Sequence, residues 1–429
     1  AIDVGTTTVC AQLLDLNRGK ITADTIVFNQ QISYGADVIT RIAYCQKPGG
    51  LQRLQEVVVS SINEVIDNLL EQGQVDRKDI GHIVVAGNTT MQQILLGLDP
   101  KYIRLAPYTP AANFIPLVKA ASLGIRVPEH VYVYTFPSVS SYVGGDIVSG
   151  VVAAGVHQRS RLTFYMDIGT NGEIVIGNSD WMVTAACSAG PAFEGGGIKH
   201  GMRATTGALE DFRLDPVSYE PMLLTIGMVK PKGICGSGLI NMVAEFLEAG
   251  VITPNGKFNT DLPTRRIRPG PDGNEYVLAY AGETATGSDL VLTEVDIDNL
   301  MRAKAAMYAG YVTLLQSVGL SISSLEQVII AGAFGSFVDL ERAITIGLLP
   351  DLPLDRFLFI GNGSLLGARL ISFCNEMLDD GERVCRMMTN IELSENPHFM
   401  DNYMAALFLP HTNGAEFPAV RARLAGKKG

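Results

Sequence analysis

Two stretches of the chain repeat one pattern. Residues 1–16, AIDVGTTTVCAQLLDL, and residues 164–177, FYMDIGTNGEIVIG, each run as an apolar strand into Asp, then Val or Ile, Gly and Thr, and on into a second strand-like run. Short apolar runs broken by a Gly-Thr turn predict strand–turn–strand hairpins. Their aspartates, Asp3 and Asp167, stand a domain's length apart, which predicts two α/β halves of related design.

Between the hairpins, Leu54, Val57, Val58, Ile62, Val65, Ile66, Leu69 and Leu70 recur at helical spacing and predict a helix over 51–72. A short buried strand is expected at 82–86 and a helix-like run at 147–154. After the second hairpin comes a glycine-rich stretch, 187–201, then GICGSG at 233–238 opening a helix to about Ala249. Residues 254–288, rich in Pro, Gly and charge, read as an insertion or β-rich flap. A long helix at 296–318, a strand at 327–331 with a Gly-Ala-Phe-Gly turn, and helices at 363–376 and 399–407 complete the pattern. The domains expected are 1–156, 157–371 with the insertion near 254–288, and a C-terminal segment, 372–429, docked on them.

A hairpin turn of Gly and Thr gathers backbone N–H groups and hydroxyls in one concave patch, which suits nucleotide phosphates. Gly5 with Thr6, Thr7 and Thr8 forms one such patch, and Gly169 with Thr170, Asn171 and Gly172 the other. Asp3 and Asp167 at the strand ends would then serve the chemistry and hold Mg²⁺, directly or through its waters, because magnesium favours oxygen ligands beside phosphates. A tight turn alone would also use Asp-Gly, but two matching copies favour the phosphate reading. VIIAGAFGSF at 328–337 joins a buried strand to a small-residue turn, where Gly332, Ala333 and Gly335 let backbone approach adenine or ribose. Gly236 and Ser237, at a helix start, are a second candidate for that contact or plain helix capping.

Asp146, in GGDI at 144–147, either orients the attacking water or is an acidic first-turn residue favoured by the helix dipole. Glu173 and Glu194 are further candidates. Small residues at 150–155 and 363–368 would let two helices cross closely, as a hinge or simply as tight packing. His200 reads as an ordinary loop histidine or a ligand contact, and Lys304 as lying on a solvated helix face or reaching the nucleotide.

Length and charge narrow the class. The chain has 429 residues, 47% hydrophobic and 18% charged, enough for two domains with cores of their own. A net charge of −11 without a basic cluster argues against nucleic acid. The longest apolar runs, such as 328–334, fall short of the roughly 20 residues of a membrane span. The cysteines, at 10, 45, 187, 235, 374 and 385, form no CxxC pair, so they read as free thiols rather than a zinc or iron–sulfur site. The chain starts at Ala1 without Met and with no visible secretory signal, so a fragment of a cytoplasmic protein is expected.

Five segments in order, DVGTTT at 3–8, GGDIVSG at 144–150, DIGTNGE at 167–173, AGAFG at 331–335 and GSLLGA at 363–368, resemble the phosphate, connecting and adenosine motifs of the actin-like, sugar-kinase and Hsp70 ATPases. That resemblance implies an α/β fold of two RNase H-like (actin-like ATPase) domains around a nucleotide cleft, with ATP and Mg²⁺ bound. A narrower one rests on GTNGEI at 169–174, ACSAGPAFEGGGIKHGM at 186–202, GICGSGL at 233–239 and NIELSENPHFMDNYMAALFLPH at 390–411. Together these look like the reductive activators of corrinoid proteins, which spend ATP to return cobalt(II) to cobalt(I). The implied partner is a cobalt(II) corrinoid protein, and a homodimer is implied too. Members usually carry an N-terminal 2Fe–2S domain, which this sequence does not contain, so that cluster is expected only in a missing N-terminal domain. The alternatives are a sugar or acid kinase of the same superfamily, and a non-catalytic nucleotide-gated binding module.

Overall fold

The computed structural model describes residues 1–169, 171–332 and 338–426. From the N-terminus the chain forms β1 (Ile2–Val4), β2 (Thr8–Asp15) and β3 (Lys20–Phe28), then α1 (Val38–Cys45) and α2 (Gly50–Gly73). Next come β4 (His82–Gly87), α3 (Thr89–Leu95), β5 (Val118–Lys119), β6 (Tyr132–Thr135) and α4 (Gly145–Ala154). The strands β7 (Thr163–Ile168), β8 (Gly172–Gly177) and β9 (Met182–Cys187) precede β10 (Ala208–Leu214), β11 (Pro221–Thr225), β12 (Gly233–Ile234) and α5 (Gly236–Glu248). Then follow β13 (Ile267–Gly270), β14 (Gly273–Ala279), β15 (Leu290–Thr293), α6 (Glu294–Ser317), β16 (Gln327–Ala331), α7 (Leu340–Thr345) and β17 (Phe357–Gly361). Last are α8 (Gly363–Phe373), α9 (Met377–Met387), β18 (Met388–Asn390), α10 (Pro397–Ala406) and α11 (Pro418–Gly426).

These elements form two compact units, each discontinuous in sequence. Unit 1 holds Ala1–Tyr165, Gly177–Ala185 and Asn362–Ile391, and unit 2 holds Met166–Ile176, Ala186–Gly361 and Glu392–Gly429.

In unit 1 a mixed sheet runs in the order β3-β2-β1-β4-β6-β5. Its short strand β1 is antiparallel to β2 and parallel to β4, so Asp3 has Cys10 on one side and Ala86 on the other. The long helix α2 turns the face predicted from its spacing onto this sheet, and Leu54, Val58, Ile62, Val65 and Ile66 pack with Val4, Val9, Ile83 and Val85. Each such fully buried side chain contributes about 1.5–3 kcal/mol. On the small-residue faces read from the sequence, α4 and α8 cross closely: the Ser149 hydroxyl donates to the Ser364 carbonyl at 2.7 Å. The pair β9–β18, in parallel register from Met182 to Thr184, also belongs to this unit.

In unit 2 the strand order is β17-β16-β7-β8, with β16 and β17 parallel. The predicted strand at 327–331 is β16 residue for residue. Helix α5 lies on the sheet β11-β10-β12, and its Phe246 meets Phe212, Phe258 and Tyr276 in one aromatic cluster. The expected insertion at 254–288 forms β13 and β14, which pair with β15 as a three-stranded antiparallel sheet. The central helix α6 starts on a Thr293–Asp296 capping box, in which two otherwise unpaired N–H groups are satisfied reciprocally.

Neither reading of Lys304 holds. It is fully buried in α6, and its amine donates to the carbonyls of Phe408 and Pro410 in the segment after α10. Burial pushes its ammonium well below its ordinary 10.5. A neutral amine has two N–H groups for the two carbonyls, whereas an ammonium would carry a third, for which the described residues offer no hydrogen-bond acceptor. Because the folded value lies below the unfolded one, burying the charge costs most at low pH, and the cost fades as pH rises toward 10.5. Denaturant unfolding from neutral pH upward is therefore expected to show stability gained by the wild type relative to Lys304→Met. Parallel pH profiles for the two would contradict the neutral amine.

Candidate functional site

The first Gly-Thr turn is held from behind by side chains distant in sequence. The Gly5 N–H donates to Thr8 O at 2.9 Å and closes the hairpin. Asn29, itself buried, donates from its amide to Gly5 O at 2.9 Å and from its backbone N–H to Thr7 O at 2.9 Å. Arg41 on α1 donates to Thr6 O at 2.6 Å, and Asn88 donates to the Thr6 hydroxyl at 3.1 Å. In a trans peptide, C=O and the following N–H point in opposite directions. With the carbonyls of Gly5, Thr6 and Thr7 all engaged on the protein side, the N–H groups of Thr6, Thr7 and Thr8 are turned to the other side. Successive N–H groups presented in this way form an anion-binding nest.

Asp3 stands beside this nest on β1. One carboxylate oxygen accepts from the Asn362 amide at 2.8 Å and the other from the Ser364 hydroxyl at 2.8 Å. Both donors sit at the start of α8, where Asn362 is also the N-cap, accepting from the Leu365 N–H at 2.8 Å. Burial raises the Asp3 carboxyl above its ordinary value, and the two hydrogen bonds oppose that rise. A carboxylate has about four acceptor directions, so two bonds leave room for a water or a cation. Among the described residues no three His, Cys, Asp or Glu side chains gather into a metal cage. One carboxylate beside an anion-binding nest is a setting Mg²⁺ accepts, because it keeps most of its own water. The residues present fit that ion.

Unit 2 carries the second turn. Asp167 lies at the end of β7, and the Gly169 N–H donates to Asn171 O at 3.0 Å, closing a tight turn. Asn171 is exposed, while Gly172 is buried against Met307. Gly332 follows β16 at φ +94°, and a side chain there would meet Ile168 O at 2.4 Å and the Asp167 carboxylate at 2.9 Å. The end of β16 and the end of β7 are thus brought together at Asp167. Thr170, Ala333 and Gly335 lie outside the described residues. Gly236 and Ser237 open α5, and the buried Ser237 hydroxyl lies 3.3 Å from the Cys235 thiol. Cys235 is the N-cap without a side-chain cap bond, so Ser237 is not the cap.

Asp146 occupies the first turn of α4 in unit 1, and its carboxylate accepts from the Ile147 N–H at 2.9 Å. That geometry fits the helix-start reading and leaves the water-orienting one to experiment. His200 is half-buried in unit 2, and burial lowers its imidazole. The cysteines are free thiols, and burial beside Asp3 pushes Cys10 up to about 11, which keeps it protonated at neutral pH.

The sequence reading missed Asn29, Arg41, Asn88 and Asn362. Asn88 and Asn362 each had a local signal, an Asn directly before a helix, at TTMQQIL and at GSLLGA.

Residues 1–159 match the model of the RACo middle region, and residues 161–421 match that of the C-terminal domain of RACo, the ASKHA domain. The chain is 34% identical over 414 residues to the corrinoid activation enzyme RamQ of Eubacterium limosum, covering 94% of this chain and 69% of that protein. It is 23% identical to the Co(II) methylated amine-specific corrinoid protein reductase of Methanosarcina barkeri, covering 95% of this chain and 76% of that protein. Among solved structures, a reductive activator for corrinoid, iron-sulfur protein superposes with a TM-score of 0.88 at 48% identity, over 98% of this chain and 67% of that one.

Proposed function

This chain belongs to the RACo family of corrinoid-protein reductive activators, with an ASKHA fold, and from that premise we propose that it couples ATP to reduction of a corrinoid partner. In this reading ATP binds with Mg²⁺, and binding and hydrolysis favour a state of the complex in which cobalt(II) accepts one electron to become cobalt(I). The electron comes from a one-electron iron–sulfur donor, because hydrolysis supplies free energy and no electrons. A nucleotide can drive this only through different affinities for two states of the complex.

The observation that carries the proposal is the nest at Thr6, Thr7 and Thr8, with its carbonyls held back and Asp3 beside it. There the threonine N–H groups would bind phosphate oxygens and Asp3 would hold Mg²⁺, which supplies charge neutralisation on the phosphates. Asp167, Gly169, Thr170, Asn171 and Gly172 would form the second phosphate element. Gly236, Ser237, Gly332, Ala333 and Gly335 would take the adenosine end, and Asp146 would orient the attacking water. The two RNase H-like halves would be residues 1–156 and 157–371, with 372–429 as the C-terminal segment. A cytoplasmic homodimer belongs to the same reading. No helix of the described residues is long and apolar enough to cross a membrane.

The test is ATP hydrolysis by the chain with Mg²⁺, alone and with a corrinoid protein in its cobalt(II), cobalt(I) and methylated forms, beside a panel of sugars and small acids. Stimulation selective for the cobalt(II) form is expected. Phosphate transfer to a small molecule, with indifference to the corrinoid protein, would make the chain a kinase instead.

A further inference from the structure

Arg41 is a cation with no exposed surface and no carboxylate within ion-pair distance among the described residues, though the Asp37 carboxylate at the start of α1 is near enough to favour its charge. Its donors go elsewhere: Nε to Gly35 O at 2.9 Å, Nη1 to the Gln31 side-chain oxygen at 3.1 Å, and Nη2 to Thr6 O at 2.6 Å. Gln31 is fixed in turn, because its amide donates to Leu54 O at 2.8 Å on α2. Burial lowers the guanidinium to about 10, which still leaves it charged at neutral pH. A buried charge without a directly paired carboxylate is costly, and a fold that needed only a staple for this turn would satisfy it with a neutral donor, as Asn29 does at Gly5. An anion in the nest on the far side of the same peptide would add opposite charge close to the guanidinium.

We propose that Arg41 is a positioning residue for the nucleotide phosphates: it fixes the peptide between Thr6 and Thr7 so that the Thr7 N–H faces the phosphate, and it places a positive charge behind the turn. The inference rests on the ATP-binding reading above and adds a residue to it. Without the guanidinium, Thr6 O loses this charged donor, and the peptide is free to rotate its N–H out of the nest. Arg41 has no exposed surface and acts through Thr6 O, so its effect is expected at the phosphate end. Lysine keeps the charge but has no planar fork to serve Gly35, Gln31 and Thr6 together.

The test uses the full 429-residue chain as wild type, Arg41→Lys and Arg41→Met, with Mg²⁺-ATP and AMP binding measured by calorimetry and folding checked by thermal unfolding. Arg41→Met is expected to weaken ATP binding on the order of 10- to 100-fold. AMP binding should change far less, and Arg41→Lys should fall between wild type and Arg41→Met. Unchanged ATP affinity in a folded variant would overturn the inference, and so would equal losses for ATP and AMP, which mark general damage. Should Arg41→Met fail to fold, Arg41→Lys decides by the same ATP-to-AMP comparison. A wild-type chain that binds no ATP would sink the functional reading itself, a result read before any variant is compared.

Discussion

Asp3→Asn is expected to lower Mg²⁺-dependent ATP hydrolysis on the order of 100-fold or more while leaving the fold intact. The substitution keeps the shape of the side chain and removes its charge. Asn362 cannot turn its amide around to suit the new group, because its oxygen already caps α8 at the Leu365 N–H. The new side chain must therefore give its oxygen to Asn362 and its NH₂ to the Ser364 hydroxyl, which can accept. Both bonds survive, so unfolding should change little, and what is lost is the negative charge beside the phosphate nest. Raising Mg²⁺ should recover part of the rate if Asp3 holds the ion. Burial raises Asp3, so protons and Mg²⁺ compete for its carboxylate, and acidification should raise the Mg²⁺ concentration needed for half-maximal rate. Steady-state hydrolysis against Mg²⁺ concentration and pH reads both effects. A variant that hydrolysed ATP at the wild-type rate would remove Asp3 from the metal-binding role.

How much of this was legible in the sequence follows from the range of each signal. Helix α2 and strand β16 were read because their patterns are local: one apolar face repeating over six turns, and one apolar run ended by glycine. The two Gly-Thr turns were read because the pattern occurs twice. The residues that lock the first turn were not, since Asn29, Arg41 and Asn88 come from three separate elements and none stands at a telling spacing. Asn362 reaches Asp3 across almost the whole chain, and no periodicity encodes such a contact. Lys304 was misread for a different reason. Helix α6 is buried nearly all round, so it lacks the polar face against which a lysine is normally placed. Residues 362–391 pack in unit 1, while those just before them belong to unit 2, a return of the chain that composition does not announce.

Gly367→Ala should damage stability and activity together, because α8 both packs on α4 and presents the partners of Asp3. A β-carbon at Gly367 would lie 2.1 Å from the backbone oxygen of Ser149 and 2.4 Å from its hydroxyl. Backbone cannot rotate aside as a side chain can, so the helices must separate by roughly 1 Å to reach ordinary contact distance. Overpacking of this kind costs about 1–3 kcal/mol, and the strained bond between the Ser149 hydroxyl and Ser364 O adds to it. The same shift moves the first turn of α8, where Asn362 and Ser364 hold the two oxygens of Asp3. The buried carboxyl then keeps its burial and loses the bonds that favour its charge, so its titration moves further up. Denaturant unfolding should show the lower stability, and the acid limb of ATP hydrolysis should shift to higher pH in the folded fraction. A stable variant with the wild-type pH profile would show that α4 and α8 separate without consequence for Asp3, and that the small-residue crossing is packing alone.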